Sequence, residues 1–287
     1  MEINEIKNLH PCFNRINNKG RMHLPVSPAC NIMCEFCDRR IGDEGEEIRP
    51  GLSKTLISPE EAPDYVAEAL RLCPEITVVG IAGPGDTLAT DHAMRAFRAI
   101  GKRFPALIKC MSTNGLLLPE KIKEIVDVGV TTLTVTVNAV DPAILSRLNR
   151  GILYEGRLYE GEAAALILIG KQLEGIKMAA DAGLIVKVNT VLVPGINGSH
   201  IGAVARQVGR RGASIFNIIP LIPQNGLKDC QAPDCGEIDA ARLEAEAHIP
   251  VFRHCEHCRA DAVGLLGGKD VGGQIYRQRI RDTFSHG

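Results

Sequence analysis

Tryptophan is absent from the 287 residues, and aromatic side chains make up only 4% of them. With so few planes for bases to stack on, a single-strand nucleic-acid binder is disfavoured. Charge of neither sign is in excess: 33 Lys and Arg stand against 34 Asp and Glu, a net charge of −1. Such a chain has no basic footprint for a polyanion, so no nucleic-acid partner is expected. Long hydrophobic runs are missing as well. The longest, 163–169, is closed by Glu162 and Lys171 and falls far short of a bilayer span. The amino-terminal MEINEIKN has no apolar segment, so neither a leader nor a membrane partner is expected. No short repeat or low-complexity tract appears.

What the chain does have is cysteine, ten of them. In a chain without a leader these belong in a reducing cytoplasm, as metal ligands or thiols rather than disulfides. Three are packed into PACNIMCEFC as Cys30, Cys34 and Cys37, a C-x₃-C-x₂-C spacing. Closely spaced thiolates favour an iron–sulfur cluster or a soft metal. Three of them leave one iron of a 4Fe–4S cubane open to an outside ligand. Zinc is the competing reading, but structural zinc sites usually draw on two separated Cys pairs rather than one tight triple.

The remaining length fits one α/β domain. Residues 21–28 (RMHLPVSP) read as a first strand, with His23 on its polar face, where it can be a structural histidine. Cys12 precedes it in NLHPCFN, a polar and irregular setting. Residues 38–54 form a charged loop, and Ser58, Pro59 and Glu61 are the start signals of a helix reaching 72. Strands then follow at 76–83, 107–112, 131–138, 183–195 and 213–220, separated by helices at 91–103, 119–128, 161–182 and 199–211. This βα rhythm implies a parallel sheet of six strands, either a barrel fragment or an open doubly wound sheet. Cys73 reads as core. After Pro223 the rhythm stops. A loop with Cys230 and Cys235 leads to a helix at 237–248 and then to RHCEHCRADAVG, whose Cys255 and Cys258 suit zinc or, beside a cluster motif, a second cluster.

Several strands carry polar residues where a self-filled barrel would place Val, Ile or Leu. Thr132, Thr134, Thr136 and Asn138 share one face, as do Lys187 and Asn189, and Asn217 lies in the sixth strand. A polar lumen implies a large polar ligand; rim or edge positions are the alternative. Lys109 breaks the pattern, since Cys110 and Ser112 share a face and Lys109 must point away from it.

The Cys triple just after a first strand resembles the signature of radical S-adenosylmethionine (SAM) enzymes. The likeness extends further. HPCFN (10–14), RMHLPVSPACNIMCEFC (21–37), IRPG (48–51), GIAGPGD (80–86), CMSTNG (110–115), TVNAVDP (136–142), the run 172–197, IIPLIPQ (218–224) and RHCEHCRADAVG (253–264) resemble the nitrogenase cofactor maturase family NifB, in order along nearly the whole chain. The chain resembles that family's short form, without a carrier-like extension. The resemblance implies a partial (β/α)₆ TIM-type barrel over 21–223, an N-terminal extension at 1–20 and a C-terminal cluster-binding extension at 224–287. It also implies an enzyme that fuses two 4Fe–4S clusters, adds a sulfur and inserts a carbide taken from the SAM methyl group. One SAM methylates a cluster sulfide, and a second supplies a 5′-deoxyadenosyl radical that removes hydrogen from that methyl. Cluster donors, a downstream carrier protein and a low-potential electron donor would be its partners.

Carried over position by position, the resemblance assigns Cys30, Cys34 and Cys37 to the SAM cluster. Gly83, Pro84, Gly85 and Asp86 fall in the motif whose backbone meets the SAM amino group, and Ser112, Asn114, Asn138 and Asn189 fall to the same pocket. Cys12, His23, Cys255 and Cys258 match the ligands of one substrate cluster, which moves His23 from structural to functional. Cys110 and Cys235 match the second. One departure stands out: the family carries a further Cys before its arginine-proline-glycine segment, and here DRRIGDEGEEIRPG has none. Asp43, Glu44 or Glu47 could supply an oxygen ligand, and Cys230 another thiol. Alternatively the second cluster is held loosely, or the chain is a paralogue with a different product.

Overall fold

The apolar strand runs hide a period of two. In 76–81 Val79 and Ile81 face helices while Val78 and Gly80 line the interior, and the same division recurs along the sheet. A computed structural model describes residues 3–14, 18–37, 52–255 and 259–276. Its elements, in chain order, are α1 (Ile3–Leu9), β1 (Gly20–His23), β2 (Ile32–Cys34), α2 (Ala62–Leu72), β3 (Ile76–Ile81), α3 (His92–Arg103), β4 (Ile108–Thr113), α4 (Leu118–Asp127), β5 (Val130–Thr136), α5 (Pro142–Leu145), β6 (Asn149–Tyr154) and β7 (Arg157–Glu160). There follow α6 (Gly161–Asp181), β8 (Ile185–Leu192), α7 (Ile201–Gly209), β9 (Ile215–Pro220), α8 (Cys235–Glu246), β10 (Val251–Phe252), β11 (Val263–Leu265) and α9 (Gly272–Ile275).

The six expected strands pair in parallel in the order β1-β3-β4-β5-β8-β9. Short strands extend both edges. β10 adds in parallel beside β9, and β11 adds antiparallel beside β1, giving eight strands in one curled sheet. Both edge strands come from the segment after Pro223. Residues beyond the βα rhythm therefore complete the sheet as well as carrying Cys255.

The main core lies between the outer sheet face and the helices. Val79, Met111, Leu133, Val188 and Phe216 pack against Val66, Phe97, Ile125, Ile176 and Val204. A second cluster closes one end: α1 and the turn after it bring Ile6 and Phe13 against Val78, Ile108, Ile185 and Ile215, which sit in the N-terminal halves of their strands. The lumen between this plug and the strand C-termini is lined by apolar side chains together with polar ones such as Thr134, Thr136, Lys187 and Asn189.

Three local outcomes differ from the sequence expectation. Ser58 and Glu61 do exchange the reciprocal bonds of a capping box (3.2 and 3.4 Å), but 58–61 is a turn, and the helix begins at Ala62 with Pro63 in its first turn. The region between β5 and α6 is not all connection. It holds the hairpin β6–β7, which pairs antiparallel with β2 in a separate three-stranded sheet. Lys109 folds outward, and its Nζ donates to the Val128 carbonyl at 2.6 Å, supplying a donor just past the C-terminus of α4. Among the described residues no helix is long and apolar enough to cross a membrane.

Candidate active site: two adjoining cavities in the lumen

The cysteine loop is built against the GPGD turn. Gly85 N donates to Ser27 O and Asp86 N to Ala29 O, both at 2.8 Å. A Cβ on Gly85 would lie 2.1 Å from the Ala29 oxygen, so only glycine permits this approach. These two amides are therefore occupied by the cysteine loop.

Asp86 acts through its carboxylate. It accepts from Leu88 N (3.0 Å), Thr113 Oγ1 (3.0 Å) and Asn114 N (2.6 Å), clamping the end of β4 to the turn after β3. Asn114 is thereby aimed at the cysteine loop, where its Nδ2 donates to Asn31 Oδ1 at 2.7 Å and lies 3.7 Å from Cys30 Sγ. Gln172 on α6 donates to the carbonyls of Asn114 (2.7 Å) and Thr136 (2.9 Å), tying two strand ends together. Asn149 on β6 accepts from Met33 N at 3.0 Å, and Leu148 O accepts from Glu35 N at 2.9 Å, so the hairpin braces the cysteine loop from outside.

One cavity of about 170 Å³ is lined by Cys30, Cys34 and Cys37 together with Pro84, Gly85, Asp86, Ser112, Asn114 and Asn138. No histidine among the described residues lines it. Among the described residues no three His, Cys, Asp or Glu side chains close on a point that would hold a single metal ion. Thiols spread along a wall suit the separate irons of a cubane better than one zinc. The donor set fits a 4Fe–4S cluster with SAM beside it.

A deeper cavity of about 290 Å³ is lined by Cys12, His23, Cys110, Cys255, Lys187 and Asn189, among others. Phe36, Cys37, Ala82, Ser112 and Thr136 line both cavities, so the two adjoin. His23 Nδ1 lies 2.9 Å from the Arg259 carbonyl. A carbonyl only accepts, so the proton is on Nδ1 and the lone pair on Nε2. Burial, reinforced by Arg21, pushes the His23 pKa down to about 4, which keeps the ring neutral. Gly80 makes room for it: a Cβ there would sit 3.2 Å from His23 Cδ2 and 3.7 Å from Nε2. Burial raises the Cys110 thiol. Lys187 Nζ donates to the Cys12 carbonyl at 3.2 Å and stands over the rings of Phe13 (5.7 Å) and Phe252 (5.2 Å), anchoring the Cys12 segment to the plug.

The expected residues thus divide. Cys30, Cys34, Cys37, Pro84, Gly85, Asp86, Ser112, Asn114 and Asn138 meet in the first cavity, and Gly83 sits one residue before its wall. Asn189 lines the adjoining deeper cavity, where its Oδ1 accepts from Asn217 Nδ2 at 3.0 Å. Cys12, His23, Cys110 and Cys255 meet around that cavity. Cys235 is not brought there, because it is exposed at the first turn of α8. Cys230 is half-buried, packed on the apolar cluster that contains Cys30, and lines neither cavity. Cys258, Asp43, Glu44 and Glu47 lie outside the described residues. Gln172 and Asn149 were missed, although a lone glutamine inside AAALILIGKQ was a visible signal.

A half-barrel of parallel strands with three cysteines after the first strand defines a class. Residues 24–208 match the radical SAM superfamily, and this chain is a radical SAM enzyme. Solved structures agree on the fold. A radical SAM methyltransferase from Sphaerobacter thermophilus aligns over 83% of this chain and 66% of its own, with a TM-score of 0.59 at 18% identity. Methylornithine synthase aligns over 82% and 65%, with a TM-score of 0.55 at 12% identity. Within that class the chain belongs to the NifB family. It is 46% identical over 275 residues to the FeMo cofactor biosynthesis protein NifB of Methanocaldococcus infernus, covering 95% of this chain and 91% of that one. The Methanocaldococcus jannaschii protein of the same name is 45% identical, at 96% and 92% coverage. The Klebsiella pneumoniae protein is 42% identical, but the match spans only 57% of its length.

Proposed function

We propose that the chain builds the carbide-containing precursor of the nitrogenase cofactor, taking two 4Fe–4S clusters as substrates and SAM as the source of carbon and radical. The observation that carries this reading is the shared wall between a three-cysteine cavity and a deeper cavity lined by thiols and an imidazole. A SAM-derived methyl or radical formed in the first would need no diffusion through solvent to reach a substrate in the second. When bound, the resident cluster supplies the electron that cleaves SAM.

The chain's own residues do the rest. Cys30, Cys34 and Cys37 hold that cluster, and Asp86 and Gln172 position the strand ends around SAM. Cys12, Cys255 and Cys258 anchor one substrate cluster, and His23 adds a neutral ligand through Nε2. Imidazole carries no charge, so it leaves more easily than a thiolate when the clusters fuse. Cys110 faces the second substrate cluster, with an oxygen donor such as Glu47 as its further ligand. Ser112 and Thr136 stand at the boundary between the two chemistries. Cluster donors, a low-potential electron donor and a carrier for the product are the partners this function requires, in a cytoplasmic setting.

The test is anaerobic. Reconstituted protein receives dithionite and SAM, and the nucleosides are resolved by chromatography. Formation of both S-adenosylhomocysteine and 5′-deoxyadenosine supports methyl transfer joined to radical chemistry. Formation of 5′-deoxyadenosine alone would mean a related enzyme acting on another substrate.

A further inference from the structure

His10 belongs to the deeper cavity, yet no role has fallen to it so far. It lines that cavity and is 1% exposed. Its Nδ1 accepts from the Cys12 amide at 3.2 Å. An amide N–H only donates, so Nδ1 holds the lone pair and the ring proton is on Nε2. That Nε2 is sealed from solvent and has no hydrogen-bond partner among the described residues. A buried donor left unmatched is costly, and native structures rarely keep one without a reason.

Among the described residues, no neighbour supplies an acceptor. Phe13 meets the imidazole edge-on at a centroid distance of 4.8 Å. Lys187 is a donor and spends its Nζ on the Cys12 carbonyl. His23 has a lone pair on Nε2, but it makes no hydrogen bond with His10. An acceptor can arrive with what fills the cavity that His10 lines, once the ring turns its Nε2 edge towards it. The sulfides and thiolate sulfurs of an iron–sulfur cluster are such acceptors.

We propose that His10 is a positioning residue of the substrate cavity, whose Nε2–H donates to a sulfur of the cluster that Cys12 helps to hold. This rests on the reading of the deeper cavity as a substrate-cluster site. One edge of the ring supports the amide of the ligand Cys12, and the other supports the cluster. Pro11 between the two residues restricts the backbone that sets this geometry. An N–H···S bond favours the more negative, reduced cluster and so raises its potential.

The test uses the full chain with Cys30, Cys34 and Cys37 all changed to Ala, reconstituted anaerobically with iron and sulfide so that only substrate clusters form. Iron content and an electron-paramagnetic-resonance redox titration are read on this parent, on its His10→Asn form and on its His10→Gln form. Asn places an acceptor near the Nδ1 position but does not reach Nε2, whereas Gln reaches it with an amide donor. The expected result is a midpoint moved to lower potential in His10→Asn, or cluster lost there alone, with return towards the parent in His10→Gln. An unmoved midpoint in a loaded His10→Asn form would overturn the inference. Equal loss of iron in both forms would also do so, reducing His10 to a support for the Cys12 turn. Failure of the parent itself to take up any cluster would instead bring down the substrate-cavity reading, and the inference with it.

Discussion

The smallest features decide which chemistry each cavity can hold. Cys34 lies in the first cavity only. Its change to Ala is expected to abolish SAM cleavage while iron at the substrate clusters is retained; loss of all iron would show that the sites are not independent. Gly80 offers a complementary test on the other side. Gly80→Ala brings a methyl within 3.2 Å of the His23 ring, which must give way. Substrate-cluster loading should fall, or its spectrum change, while SAM affinity stays near that of the parent; an unchanged cluster spectrum would mean that His23 is not a ligand. The triple of Cys30, Cys34 and Cys37 was legible because metal chemistry restricts residue type and spacing, whereas Cys12 and His23 were singled out only by the family resemblance. The tautomer of His23 was not legible, since it depends on the Arg259 carbonyl, 236 positions away in sequence. Asn189 was placed on the lumen face by periodicity, which fixes the side of a strand but not the depth along it, and it lies beside the deeper cavity. Cys235 illustrates the converse: a thiol near a motif in sequence carries no information about where the helix beneath it points.

At the scale of elements, the braces outside the lumen are what sequence periodicity failed to show. The hairpin β6–β7 is short, with no long alternating run, and its importance comes from bonds to the cysteine loop that no local pattern records. Gln172→Leu removes two bonds to strand-end carbonyls at nearly constant size. SAM affinity should weaken about tenfold, the equivalent of ~1.4 kcal/mol, as read by anaerobic titration. Lys109, unexplained by alternation, closes the end of α4. Lys109→Met leaves the buried Val128 carbonyl unmatched and should cost about 1–3 kcal/mol in urea unfolding. His200 braces the loop after β5, because its Nε2 accepts from Val140 N at 3.1 Å. Burial lowers its pKa from 6.5, only partly offset by Asp141. The unfolded chain therefore takes up the proton first as pH falls. The stabilisation is complete above about pH 6.5 and is lost below it, as the pH falls through the depressed folded value. His200→Gln keeps an acceptor without titrating, so its stability relative to the parent should rise between pH 7 and pH 5; a constant difference would contradict this.

The whole molecule couples these pieces through one sheet. The six parallel strands were legible from their apolar runs, and their inward polar positions line the two cavities. The contribution of the segment after Pro223 was not legible, because β10 and β11 are only two and three residues long. They close both edges of the sheet and bring Arg259 and Cys255 to the cavity that β1 and the Cys12 segment begin. The central claim is that carbon from SAM crosses the shared wall into an iron–sulfur substrate. The most direct measurement gives the reconstituted, reduced protein SAM labelled with ¹³C in its methyl group and then follows the label. The account predicts ¹³C in protein-bound iron–sulfur material, abolished by Cys34→Ala and reduced by Gly80→Ala. Recovery of all the label in methionine and uncleaved SAM would contradict it.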